Sequence, residues 1–437
     1  MEFIKTNFKE KLKGSSTMIL ALTCFKWIIM GTLIGAIIGG VIGTFLISLE
    51  KATEFRTNNF WMIFLLPFGG ALVSFLYSKY GKNALKGNNL IIEKINESCD
   101  NVPLRMVPLV YFGTVITHLF GGSAGREGTG VQIGASIAEN VGKLFKVTKE
   151  ENKILLMTGV SGGFAAIFGT PLAGTVFGLE VAVIGKMSYE AIIPSFISSI
   201  VGNFVVLKMG VTHAHYSAST IDVITLPIVL KVIVASILFG LASKLFSVLT
   251  HKLKAIFSKT FKNAPLKSFV GGILVILLVF IVGSDKYLGL SLPLISDSFN
   301  KIVYPLDFLG KLIFTSLTLG AGYQGGEVTP LFVIGSTLGN TLSIVLNISP
   351  SFLASLGLIG VFAGATNTPI ASFILGVEMF GAENAIYMFM ACIISYIFSG
   401  HTGIYTSQKI GVSKSNIIVF KRKTTLNKSK ENLRVDL

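Results

Sequence analysis

Long apolar runs separated by short polar breaks dominate this chain. They fall at roughly 27–49, 60–78, 103–121, 153–185, 191–208, 223–250, 268–283, 306–320, 331–347 and 352–400. At about 20 residues per membrane-crossing helix, they predict on the order of ten crossings, or more helices where several are short and tilted. The longest runs must hold more than one helix, and the Gly169–Pro171 and Asn367–Pro369 stretches supply natural breaks. Gly31, Gly35, Gly39 and Gly43 recur every four residues in the first run, a spacing that predicts close helix packing. No polar stretch is long enough for a second folded domain. The pattern divides the chain into an N-terminal segment (1–24), a transmembrane domain (25–408) and a basic tail (409–437) expected to be disordered or surface-lying.

The transmembrane part repeats itself. Gly162–Glu180 aligns without gaps on Gly360–Glu378, with Thr170-Pro171 on Thr368-Pro369 and Gly178-Leu179-Glu180 on Gly376-Val377-Glu378. At a slightly different offset, the glycine-rich stretch around Glu127 falls on Gly320–Pro330. Each half therefore runs in one order: glycine-rich loop, helix, Thr-Pro, helix ending in Glu. Repeat 1 covers about 25–208 and repeat 2 about 223–408. Duplication of this kind marks transporter folds whose site lies at the repeat interface, with interrupted segments at matching positions pointing to it. The expected fold is thus all-α, a polytopic membrane protein of two duplicated helical repeats, taken as inverted. Matching positions favour structural helix-end roles for Glu180 and Glu378.

The loop Gly121–Gly130 sets one carboxylate, Glu127, among glycines between apolar segments free of Lys, Arg, Asp and Glu (107–120 and 131–137). An ionisable residue at membrane depth is costly, and non-helical backbone survives there only where it faces protein or a water-filled cavity. Glycines let backbone N–H groups at a helix N-terminus converge on an anion. A carboxylate can occupy that place and give way to a transported anion, which makes Glu127 a candidate gate. The plainer reading is a helix-capping glutamate.

Composition agrees: 51% hydrophobic residues, 14% charged residues and a mean hydropathy of +0.71. The net charge of +15 is not a nucleic-acid signal, because the cations cluster. Lys5, Lys9, Lys11 and Lys13 precede the first span. Lys252, Lys254, Lys259, Lys262 and Lys267 fill a 251–267 connection, and Lys421, Arg422, Lys423, Lys428, Lys430 and Arg434 close the chain. The positive-inside asymmetry puts both termini in the cytoplasm, with anionic lipid heads as further partners of these clusters. Cys24, Cys99 and Cys392 share no spacing for a disulfide framework or metal site. His213-Ala-His215 looks like a metal pair but lacks partner ligands nearby, so no metal and no cofactor is expected.

Gly125-Arg126-Glu127-Gly128, the duplication, Gly326-Glu327-Val328-Thr329-Pro330 and Tyr405 together resemble the CLC family of chloride channels and anion/proton antiporters. The resemblance runs from about residue 30 to 410. It implies a first filter loop at Gly87-Asn88-Asn89-Leu90-Ile91, a second at 326–330, and an inner gate at Tyr405. It also implies a homodimer with one pore per subunit in the cell membrane. Chloride-selective members carry Ser, Pro and Phe where this chain has Asn88 or Asn89, Thr129 and Val328. Many chloride/proton antiporters place a relay glutamate after the Glu ending the Thr-Pro helix; here Val181 follows Glu180. The combination is similar to the bacterial fluoride/proton antiporter branch, which commonly carries Met in the first loop where Asn stands here.

On that resemblance the expected function is a fluoride/proton antiporter exporting fluoride, with Glu127 as gate and proton carrier. Fluoride is small and strongly hydrated, so a filter must replace its water with strong donors. The anion-binding set is Asn88, Asn89, Gly128, Thr129, Val328, Thr329 and Tyr405, with Arg126, Gly326 and Glu327 in support. Arg126 is expected to support the loop as a snorkelling or ion-paired residue, and Glu327 to pair with it, assist proton transfer or bind a neighbouring helix. A chloride/proton antiporter and a passive anion channel are the alternatives within the fold. A membrane enzyme is the alternative outside it, although no nucleophile–base pair, metal cluster or nucleotide loop accompanies the acids.

Overall fold

The computed structural model describes residues 16–96, 101–214, 216–221, 223–415, 417–421, 424–429 and 433–435. Lys5, Lys9, Lys11, Lys13, Cys99, His215, Arg422, Lys423 and Lys430, singled out above, lie outside the described residues. Repeat 1 contributes α1 (Ser16–Asn58), α2 (Leu66–Leu76), α3 (Asn88–Ile95), α4 (Met106–Leu119), α5 (Glu127–Leu144), α6 (Lys149–Phe168), α7 (Pro171–Glu180) and α8 (Ile192–Lys208). Repeat 2 contributes α9 (Leu226–Thr260), α10 (Ala264–Val282), α11 (Leu292–Asn300), α12 (Asp307–Gly320), α13 (Val328–Leu346), α14 (Pro350–Thr366), α15 (Pro369–Phe380) and α16 (Ala385–Phe398). Helices long and apolar enough to cross a membrane number six among the described residues, and four apolar helices are shorter. The count of ten crossings thus gives way to its alternative, more helices of unequal length.

The breaks fall where backbone chemistry requires them. α6 ends at Phe168 on Gly169, whose φ of 76° closes the helix in the left-handed region, and Pro171 opens α7. In repeat 2, Asn367 takes the same role at φ 58° before Pro369 opens α15. The expected 251–267 connection is mostly helix: Lys252, Lys254 and Lys259 ride on the last turns of α9, which ends only at Thr260. α1 likewise begins at Ser16, inside the segment expected to precede the membrane domain.

Small residues set the helix spacing. A Cβ on Gly31, Gly35 or Gly39 would press on the backbone of Pro194, Ser198 or Gly202, so the glycine stripe of α1 seats α8. The same device holds α5 against α6 and α13 against α14. A Cβ on Gly134 would overlap the Gly159 carbonyl oxygen between α5 and α6. In repeat 2, one on Gly335 would overlap the Gly357 carbonyl oxygen between α13 and α14.

The two Thr-Pro helices cap each other. Glu180, at the C-terminal end of α7, accepts hydrogen bonds from Ile370 N (3.2 Å) and Ala371 N (2.8 Å) at the start of α15. Glu378, near the C-terminal end of α15, accepts from Leu172 N (2.9 Å) and Ala173 N (2.7 Å) at the start of α7. Each helix end thus meets the other's beginning, so the pair runs antiparallel, as inverted repeats require. Both carboxylates satisfy N–H groups that a helix start leaves open. Glu180→Ala and Glu378→Ala are each expected to lower stability by about 1–2 kcal/mol, read as a fall in the unfolding temperature in detergent. An unchanged melting curve in both variants removes the clasp from the energetics.

The tail differs from expectation: its described parts fold back on the membrane domain. β2 (Lys409–Ile410) pairs in parallel with β1 (Val183–Ile184), and β3 (Ile418–Phe420) pairs antiparallel with β4 (Leu433–Val435). Ile184, Ile410 and Leu426 form a small core with Tyr396 and Phe420 packed on it. Lys414 Nζ donates to Tyr396 O (2.7 Å), Ser399 Oγ (2.9 Å) and Gly400 O (2.6 Å), closing the C-terminus of α16. Burial, with Lys414 nearby, pushes the His401 imidazole down to about 4, so the neutral ring accepts from Lys414 N (3.1 Å). Spaced apolar residues among the lysines gave the tail a face to bury, which a count of charges overlooks.

Candidate functional site

Two helix N-termini meet at one point. Gly125 and Gly326 exchange backbone hydrogen bonds, N to O at 2.7 Å in each direction. Two residues later α5 begins at Glu127 and α13 at Val328. In the correspondence between the repeats that this sets, Arg126 matches Glu327 and Glu127 matches Val328, so the second loop has no carboxylate at the position of Glu127. The open N–H groups and partial positive charge of both helices face the junction.

Glu127 fills that junction. It is 1% exposed and belongs to repeat 1, yet its carboxylate is held by repeat 2. Oε2 accepts from Thr329 N (3.0 Å) and from Arg126 N (3.1 Å), and Oε1 accepts from the Thr329 hydroxyl. A Cβ on Gly125 would stand 2.8 Å from Glu127 Oε2, so the side chain folds back through space that only glycine leaves. The carboxylate thus occupies an anion's place at a helix N-terminus.

Arg126 Nε lies 3.8 Å from Glu127 Oε1, and the arginine side chain is 20% exposed. Its ion-pair partner is Glu127; among the described residues no ion pair joins Arg126 to Glu327. Both Arg126 and Glu127 line a cavity of about 530 Å³, together with Glu50, Glu54, Thr329 and Phe332. Beyond Glu127, Tyr405 is buried within electrostatic reach of Glu127 and Glu327.

The first loop delivers one of its two asparagines. Asn88 opens α3, and its Nδ2 lies 3.0 Å from where a Gly128 Cβ would stand; Glu327 Oε2 is 3.9 Å from that same point. Asn89 points elsewhere: its Oδ1 accepts from Ser407 N (3.0 Å) and Thr406 Oγ1 (3.4 Å). Asn88, Gly128, Gly326, Glu327, Val328 and Thr329 thus converge, while Asn89 anchors the segment that carries Tyr405. Thr129 is completely buried, and its hydroxyl bonds Thr114 Oγ1 at 2.7 Å.

Residues 69–400 match the voltage gated chloride channel (CLC) family. The chain belongs to that family. It is 46% identical over 395 residues to the chloride/fluoride channel protein of Pseudomonas syringae pv. tomato, covering 89% of this chain and 87% of that one. It is 26% identical over 411 residues to the H(+)/Cl(-) exchange transporter ClcA of Vibrio parahaemolyticus, covering 85% of each. Among solved structures it is similar to a CLC-type fluoride/proton antiporter, with a TM-score of 0.86 and 35% identity, covering 91% of this chain and 100% of that one. A slow cyanobacterial Cl-/H+ antiporter, 18% identical with a TM-score of 0.73, shares the fold. This is therefore a multi-pass CLC membrane protein, an ion transporter or channel, and the membrane-enzyme alternative is set aside.

Three buried residues of this CLC protein were not singled out from the sequence. Gln408 is completely buried: Nε2 donates to Val181 O (2.8 Å) and Thr366 O (2.7 Å), and Oε1 accepts from Asn367 Nδ2 (3.1 Å). It ties the Tyr405 segment to both repeats. His118 sets its ring nitrogens 2.8 Å from Thr114 O and 3.0 Å from Ala124 O, which links α4 to the gate loop. Gln132 stands one helical turn after Gly128. The only sequence signal for it was that spacing of four residues, which puts both on one helix face.

Proposed function

We propose that this CLC protein is a fluoride/proton antiporter that exports fluoride, with Glu127 as both gate and proton carrier. The observation that carries this reading is the Glu127 carboxylate seated on Thr329 at the α13 N-terminus, at the end of a cavity. Deprotonated, Glu127 competes with the anion for those donors. Protonated, it is neutral, gives up its charge-assisted bonds and yields the place. Val181 provides no acid after Glu180, so the same side chain carries the proton onward.

Fluoride is supported by likeness to the Pseudomonas syringae chloride/fluoride channel protein and to the CLC-type fluoride/proton antiporter structure. It is also supported by the concentration of small, strong donors: the Thr329 N–H and hydroxyl and the Asn88 amide. Tyr405 closes the path at its inner end. We further propose the cell membrane as location, with both termini cytoplasmic. A homodimer contact is supported by an apolar groove between α7, α8, α15 and α16, lined by Leu172, Ile192, Phe196, Phe373, Val377 and Ala385.

Efflux from proteoliposomes loaded with fluoride or chloride, followed by ion electrodes with a simultaneous pH trace, tests the reading. Fluoride efflux driving opposed proton uptake, with little chloride movement, is the expected result. Chloride flux equal to fluoride flux overturns the selectivity, and anion flux without protons makes the protein a channel.

A further inference from the structure

Two buried acceptor oxygens near the start of α5 have no hydrogen-bond donor among the described residues. Gln132 follows Gly128 by four residues on α5, and helix side chains lean toward the N-terminus. Its amide therefore reaches back toward the first loop: a Cβ on Gly87 would stand 3.5 Å from Gln132 Nε2 and 3.8 Å from Oε1. Gln132 is 7% exposed, and its Oε1 is buried without a hydrogen-bond partner among the described residues. Asn88, next in chain to Gly87, sends its Nδ2 to within 3.0 Å of the Gly128 Cβ position, and its Oδ1 is likewise buried without a partner.

An anion path calls for donors, and an unsatisfied buried acceptor costs on the order of 1–3 kcal/mol. Acceptors beside such a path fit a donor that visits. Fluoride cannot fill that role, and neither can a carboxylate. A protonated carboxyl can, because it carries one O–H donor. In the antiport cycle, on which this inference rests, the group that gains a proton and moves inward is Glu127, one residue from Gly128.

We propose that Gln132 Oε1, together with Asn88 Oδ1, accepts the hydrogen bond of the protonated Glu127 carboxyl in its inward position. Gln132 is then a site residue for the proton-loaded gate. No bond to the proton breaks at this step; the proton stays on Glu127, and the amide oxygen only receives its hydrogen bond. The carboxylate form, which has no proton to offer, finds two oxygens there and is turned back to Thr329. The pair of amides therefore discriminates between loaded and unloaded gate, and so helps hold the exchange to one proton-bearing carboxyl per cycle.

The test is Gln132→Leu in reconstituted full-length protein, reading protons moved per fluoride and the half-saturating fluoride concentration. Proton movement per fluoride is expected to fall about tenfold, with half-saturating fluoride changed less than twofold. An unchanged proton-to-fluoride ratio overturns the proposal. So does a raised half-saturating fluoride with the ratio intact, which assigns the amide to the anion as a donor instead. Wild-type protein run in parallel separates the two layers: if it moves fluoride without protons, the antiporter reading is what fails. Where Gln132→Leu does not reconstitute, Gln132→Asn withdraws the carbonyl by one methylene. A reduced ratio in that variant supports the proposal and an unchanged one overturns it.

Discussion

Glu127→Gln is expected to reduce fluoride-coupled proton movement to the background of protein-free liposomes, because an amide takes up no proton at neutral pH. The wild-type carboxylate accepts from Thr329 N, Arg126 N and the Thr329 hydroxyl, so all its local partners are donors. Glutamine keeps the shape but has one acceptor oxygen, and its NH₂ meets donors where the second carboxylate oxygen sat. It also cannot take up a proton. The cycle loses both the charge that competes with the anion and the carrier that removes it. Parallel fluoride and pH traces from proteoliposomes decide the matter. Persistent proton uptake in the variant would move the carrier role to another acid, with Glu327 the nearest candidate, its Oε2 being 3.9 Å from the Gly128 Cβ position.

Gly134→Val is expected to lower the yield of monodisperse protein more than tenfold and to leave no measurable transport. Overpacking a buried position costs about 1–3 kcal/mol where neighbours can shift. At Gly134 the obstruction is the Gly159 carbonyl on the facing helix, and backbone does not shift without separating α5 from α6. That separation moves the N-terminus of α5, and with it Glu127, away from Thr329. Gly335→Val should fail in the same way, because its Cβ would overlap the Gly357 carbonyl between α13 and α14. Gly40→Val is the control: beyond the backbone of its own helix, no atom of another described residue packs within 4 Å of a Cβ there, and it should purify and transport like wild type. Normal yield and flux from Gly134→Val would refute the account of how the gate helices are seated.

The repeat was legible in the sequence because two copies under the same packing demands kept Gly, Thr-Pro and Glu in step. The roles of Glu180 and Glu378 followed from that register, and the structure gives each a helix start to cap. The glycine stripe of α1 was legible for a similar reason, since spacing of four on a helix marks one face. The loop around Glu127 was legible by its cost alone: a carboxylate among glycines at membrane depth has few uses.

What stayed hidden depended on contacts between distant parts of the chain. Asn88 and Asn89 are adjacent and chemically alike. Only the Ser407 backbone, 318 positions away from Asn89, decides that Asn89 anchors the inner segment while Asn88 faces Gly128. The sequence left Glu327 open among pairing with Arg126, assisting proton transfer and binding a neighbouring helix. The Gly125–Gly326 bridge and the two helix starts make Glu327 the repeat-2 counterpart of Arg126, and among the described residues no ion pair joins the two. The tail was read from its charge and came out paired, because a few apolar residues at the right intervals outweigh lysines that keep their ammonium groups in water.

The sequence by itself determined that this is an all-helical, duplicated membrane protein with a carboxylate set in a glycine loop. Periodicity, repetition and the cost of burying charge are local properties, and each residue carries its share. The tertiary structure alone decided which donors hold that carboxylate, which asparagine faces Gly128, and that Gln408 ties the Tyr405 segment to both repeats. Those outcomes rest on hydrogen bonds between residues tens to hundreds of positions apart, whose geometry exists only once the two repeats have closed on each other.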